Sequence, residues 1–297
     1  MRFKQPLYFV ALVLASFCLA SCGSSSSDKV NNSDDFKEAE KDSLSQRIEE
    51  VMYNIPSPTD IPYQLQATGA EFNSALVNPK SKADKYVSVN DKAALNLGVY
   101  AADVGYLASY DKTQEAIDHL GACKSLAENL NIIGSFDVEV LQKFEANISN
   151  KDSLSSLVNA SIKNTEAFLK DDNRNKLSAL VITGSFVEGL YIATGIIKTY
   201  PKNLLKKDDR AAVLMPLTQI ILKQKKSVSE LVKMLAAVEQ TESVSRLSTD
   251  LKSLETAYGS LNIEQHINDN RADLVLTDKS FTDITTIVEK LRKDITE

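Results

Sequence analysis

The chain has 297 residues, 43% hydrophobic and 25% charged, with 7 prolines and no tryptophan. That is the balance of a globular protein able to bury a core, and the length suits one large domain or two small ones. The formal charge of −6 excludes the clustered basic footprint that nucleic acid requires, and it argues against a body lying flat on an anionic bilayer.

Residues 1–21 follow a secretory plan. Arg2 and Lys4 form a positive start, and Leu7 to Leu19 form an apolar run too short to span a membrane permanently. Leu19-Ala20-Ser21-Cys22 follows at once and resembles the bacterial lipobox: a branched apolar residue, two small residues and the cysteine that receives lipid. The expectation is cleavage before Cys22, acylation of Cys22 and membrane attachment through the lipid, each buried methylene contributing ~0.8 kcal/mol. Cleavage removes two positive charges and leaves a more acidic body. Cys18 is lost with the leader, so Cys123 has no intramolecular disulfide partner. Gly23 to Ser33 reads as a polar, flexible tether with a reach of roughly 15–20 Å. Glycine at position 23 favours the outer membrane by analogy with enteric sorting. The side of that membrane stays open, because the acids behind Cys22 are late and scattered.

From Asp34 to Glu297 the pattern is helical throughout. Phe36, Ile48, Val51, Met52 and Ile55 mark a first amphipathic helix, ended by Pro56 and Pro58. A second is expected over Pro62 to Val77, then a polar connector from Lys80 to Tyr86. Ser88-Val89-Asn90-Asp91 looks like a capped helix start. That helix runs to about Ser109, and another runs from Asp111 to about Leu130. Further helices fit 136–148, 152–170, 174–199, 208–225, 228–240, 244–261 and 280–295. Val244, Leu247, Leu251, Leu254, Tyr258 and Leu261 form one apolar stripe; Phe281, Ile284, Val288, Leu291 and Ile295 form another. Leu274-Val275-Leu276 is a candidate short extended piece, but no series of alternating strands exists. Ala93–Tyr110 and Leu177–Ile197 are apolar nearly all round and rich in Gly and Ala, as helices in the middle of a bundle are. The second is read as a buried core helix and not as a membrane span. The fold expected is all-α: a multi-helix bundle of about nine to eleven helices around these two.

Asn96-Leu97-Gly98-Val99-Tyr100-Ala101-Ala102-Asp103, Leu126 with Asn129-Leu130, and Gly184 through Ala193 resemble an uncharacterised family of helical lipoproteins from Bacteroidota. The resemblance implies an envelope location and an all-α fold, and it implies no activity. Asp42-Ser43-Leu44 and Asp152-Ser153-Leu154 look like the Asp-Ser/Thr-aliphatic O-glycosylation sites of such bacteria; the same residues also serve simply to begin helices.

Asp103 and Glu188 are the leading site candidates, since a charge inside an apolar helix is costly unless paired. Tyr106 and Tyr191 lie one turn further on, and the two segments share an acid-x-x-Tyr-aliphatic-Ala pattern that a duplication or chance explains equally well. If the helices touch, these four side chains could line a polar pocket for a cation or a small polar ligand. The competing reading is a structural network that locks helix register. Glu115, His119 and Cys123 fall at i, i+4 and i+8, a spacing compatible with metal sharing but also with a buried thiol beside a boundary histidine. No Glu-x-x-His pair, His-Glu-x-x-His, Cys-x-x-Cys, P-loop or dinucleotide fingerprint is present, so neither metal nor cofactor is expected. Lys223, Lys225 and Lys226 are read as closing a helix, where cations complement the dipole. The functional expectation is a non-catalytic envelope lipoprotein, bound to the membrane by lipid and to an envelope protein partner or in a structural role. The alternative is a ligand- or cation-binding lipoprotein using the four-residue pocket.

Overall fold

A computed structural model describes residues 54–132, 172–200, 207–261 and 278–297, with isolated positions among 46–51 and 142–150. The leader, Cys22, the tether, Ser43, Ser153, the helix expected over 152–170 and the extended piece at 274–276 lie outside the described residues. The fold is all-α, with no strand among the described residues.

The described residues hold eight α-helices: α1 (Asp60–Ala67), α2 (Asn90–Ser109), α3 (Thr113–Asn129), α4 (Asp172–Thr199), α5 (Lys207–Leu222), α6 (Lys225–Ala237), α7 (Glu242–Ser260) and α8 (Lys279–Thr296). Positions 46, 48, 50, 51 and 54 are also helical, and Ile48 and Val51 are buried in the core, as the first expected stripe requires.

The helix expected over Pro62 to Val77 is shorter. It begins at Asp60, whose carboxylate accepts the Ser57 N–H at 2.8 Å, and it ends at Ala67. Gly69 follows in a left-handed conformation at φ 78°, which stops the helix without steric penalty. The backbone beyond is claimed by tertiary contacts. Tyr110 Oη donates to Ala70 O at 2.8 Å, and the Asn73 N–H donates to Tyr106 Oη at 2.8 Å. Residues 80–86 are likewise no simple connector: Lys80–Lys85 is a 3₁₀ turn and Tyr86 is buried.

The start of α2 also differs from expectation. Val89, not Ser88, is the flanking residue, and no side chain caps it. Asp91, expected to complete the cap, accepts instead from Thr241 Oγ1 at 2.7 Å, with Lys176 Nζ at 3.5 Å. α8 is capped conventionally at its N-terminus: Asp278 Oδ1 accepts from the N–H of Ser280 and Phe281. Lys225 and Lys226 open α6 and do not close α5, which ends at Leu222.

α2 and α4 form the most extensive helix pair among the described residues. Glycine explains it. A Cβ on Gly98 would sit 2.0 Å from Val181 O, and one on Gly184 would sit 2.0 Å from Leu95 O. The two backbones therefore touch directly, which only glycine permits. α3 packs on α2 through a three-residue turn holding Asp111 at φ 59°. α8 packs on α7 and α4 and reaches α2. Asn175–Thr199 is long and apolar enough to cross a membrane, with mean hydropathy 1.7, yet 83% of its most apolar window is buried inside the body. That burial fits a core helix.

Candidate functional site

Asp103 on α2 and Glu188 on α4 are both fully buried, at 0% exposure. The close glycine packing of their helices places the two carboxyls near enough to act on one another electrostatically. Arg292 of α8 completes the cluster: Nε donates to Glu188 Oε2 at 3.2 Å and Nη2 to Glu188 Oε1 at 3.4 Å, a two-pronged grip. Its third nitrogen, Nη1, donates to Thr296 Oγ1 at 3.3 Å, and the guanidinium lies over the Tyr191 ring, 4.7 Å from the centroid.

Asp103 Oδ2 accepts the Asn78 N–H at 3.1 Å, while Oδ1 has no donor among the described residues. Two ionised acids beside one guanidinium leave a net charge in the core, so one proton stays on the pair. Burial pushes the Asp103 carboxyl well above its ordinary range, and Glu188 pushes it further. Burial also raises Glu188, to about 7, against the pull of Arg292. The bidentate grip favours the ionised form of Glu188, and Asp103, which has no such grip, is the acid whose carboxyl is held more firmly in its protonated form.

The tyrosines expected beside the acids have separate lives. Tyr106 is buried and accepts the Asn73 N–H, and it stacks with Phe72 (centroids 5.1 Å apart) and Tyr110 (5.1 Å). It thus holds the 70–73 loop and does not bond either acid. Tyr191 is half-buried under Arg292. The parallel acid-x-x-Tyr pattern therefore has no parallel in side-chain environment. Tyr191, Arg292 and Thr296, with Lys198, Glu289, Lys293 and Glu297, line an open cleft of ≈370 Å³. Asp103 and Glu188 lie behind it and do not line it.

Several participants were not anticipated from the sequence. Asn78 donates its N–H to Asp103, and its Nδ2 donates to Tyr86 Oη at 3.4 Å. Tyr86 Oη donates to Thr296 O at 3.0 Å, and Asn96 Nδ2 donates to Ile295 O at 2.9 Å. The last carbonyls of α8, which lack partners within the helix, are thereby satisfied by buried side chains. Arg292 itself was overlooked because it flanks the α8 stripe, where an arginine ordinarily reaches solvent. The available signal was its position one turn before Ile295 and one turn after Val288.

The Glu115/His119/Cys123 register forms no metal centre. His119 Nδ1 lies 2.8 Å from Glu115 O, and Nε2 lies 3.1 Å from Asn78 O, so both ring nitrogens face backbone carbonyls. Cys123 is buried, and burial raises its thiol above the ordinary range, which keeps it protonated and unreactive. Among the described residues no three His, Cys, Asp or Glu side chains converge as a metal site. Searches against protein-family models, characterised proteins and solved structures gave no match.

Proposed function

We propose that this protein is a non-catalytic cell-envelope lipoprotein, anchored through Cys22, probing a binding or structural role with its helical body. The body is read as a bundle of nine to eleven helices arranged around α2 and α4, held off the membrane by the 22–33 tether, with the outer membrane as its site. The observation that carries the reading is the Arg292–Glu188 grip. The acids that are the strongest candidates for chemistry are bound to each other and to a guanidinium, at zero exposure. That is how a network locking three helices is built, and a catalytic acid would need access to a substrate.

A second reading is favoured by one observation, the open cleft beside Arg292 and Tyr191. A small polar ligand resting there would contact the guanidinium and Tyr191 while Asp103 and Glu188 act from behind. Native mass spectrometry of the gently purified chain, before and after denaturation, separates the two. The structural reading expects the lipidated polypeptide mass alone, and a Glu188→Gln variant that loses stability only. A small molecule retained by the native chain and absent from Glu188→Gln would overturn it in favour of the ligand reading.

A further inference from the structure

We infer that the Asp103–Glu188 pair is a proton-linked latch on the C-terminal helix: one proton shared by the two carboxyls holds α8 against α2 and α4, and its loss frees α8. Three observations carry this. Arg292, which belongs to α8, grips Glu188 alone, and Asp103 lies in the field of that one cation without a bond to it. Asp103 Oδ1 is buried without a donor among the described residues, so an ionised Asp103 would leave that oxygen uncompensated. The helices bearing the acids cannot separate to relieve repulsion without breaking the backbone contacts at Gly98 and Gly184. The element free to respond is α8, whose movement admits water to both carboxylates.

The groups facing the pair leave this proton as the one that matters above neutrality. Arg292 faces it from α8, Tyr86 and Asn78 from the segment before α2, Tyr100 and Tyr106 from α2 itself, Cys123 from α3 and, across Arg292, Tyr191 from α4. Burial raises Tyr86, Tyr100, Tyr106 and Cys123, so these keep their protons. His119 touches Asn78 and not the pair. The sign follows from linkage. Both carboxyls have folded values raised above their ordinary 3.8 and 4.5, so their stabilisation is complete below about pH 4 and is lost as pH rises through the folded values. Glu188, raised to about 7, is the first of the two to lose its proton, and Asp103, which burial raises well above its ordinary range and Glu188 raises further, is the one that keeps it.

Hydrogen exchange of the α8 backbone amides, measured on the full chain between pH 7.5 and 9 and corrected for intrinsic exchange, tests the latch. Release of one proton on opening expects the opening constant to rise about tenfold per pH unit. Asp103→Asn keeps a donor toward Glu188 and an acceptor for the Asn78 N–H, so its opening constant is expected to stay flat. A flat profile in the native chain, or an equal slope in Asp103→Asn, overturns the proposal. Should Asp103→Asn fail to fold, carboxyl-carbon NMR of the native chain decides. An Asp103 carboxyl still protonated at pH 8 supports the latch, and an ionised one overturns it.

Discussion

At the scale of single residues, Glu188 and Arg292 set what the core tolerates. Removing one partner of a buried ion pair leaves an uncompensated charge, at a cost of about 3–5 kcal/mol. Arg292→Met is expected to lose that much in urea denaturation, and the double variant Arg292→Met, Glu188→Gln to recover part of it, because a neutral amide needs no cation. Additive losses would show that the two residues act separately. The acids at 103 and 188 were legible in the sequence because an ionisable side chain amid Ala, Gly and aliphatic residues violates the local pattern. Tyr106 was misassigned because helical spacing places it on the face of Asp103 but says nothing of the loop that binds its hydroxyl. Asn78 and Tyr86 were missed for a related reason: they act across long sequence separations from a segment that looks polar and featureless.

At the scale of elements, α2 and α4 stand out by composition, since glycine inside a long helix has a cost of about 0.8–1.0 kcal/mol and must be offset by close approach; that they approach one another is seen only in the fold. Gly184→Ala places a methyl 2.0 Å from Leu95 O. Backbone has to move, so the expected loss is about 3 kcal/mol, read as a fall in the urea midpoint; Gly121→Ala, inside α3 with nothing within 4 Å, is the control of opposite sign, expected to gain about 0.8–1.0 kcal/mol. The stripes of α7 and α8 were also legible, and every residue of the α8 stripe is buried. Helix ends were less so. The α1 end depends on Tyr110 and Tyr106 reaching Ala70 and Asn73, and the α2 start depends on Thr241 and Lys176 recruiting Asp91. Neither contact has a local signature. The Lys225–Lys226 pair was assigned to the wrong end of a helix for want of a breaker: Gln224 marks that boundary through its buried amide, which donates to Ile220 O at 3.0 Å, not through Gly or Pro.

At the scale of the whole molecule, the proposed anchor makes its own prediction. Cys22→Ala is expected to abolish metabolic labelling with palmitate and to move the protein from the membrane fraction to the soluble one. Retention in the membrane with no label would require the body itself to bind the bilayer, against its acidic charge. The all-α class was legible because helical periodicity recurs along the whole body, and it depends on no single contact.

The plugged end of α8 bears on the order in which the molecule can form. Arg292 lies 104 residues beyond Glu188, Ile295 lies 199 beyond Asn96, and Thr296 lies 210 beyond Tyr86. Until the final turn has been synthesised, Glu188 has no cation, and Asn96 and Tyr86 lack the carbonyls they later seal. The nascent chain therefore cannot complete this part of its core before residue 296 has been added. For the exported lipoprotein proposed above, that order leaves this corner of the body unfinished while the chain crosses a membrane. A product cut short before Arg292 lacks the cation that Glu188 binds in the complete core.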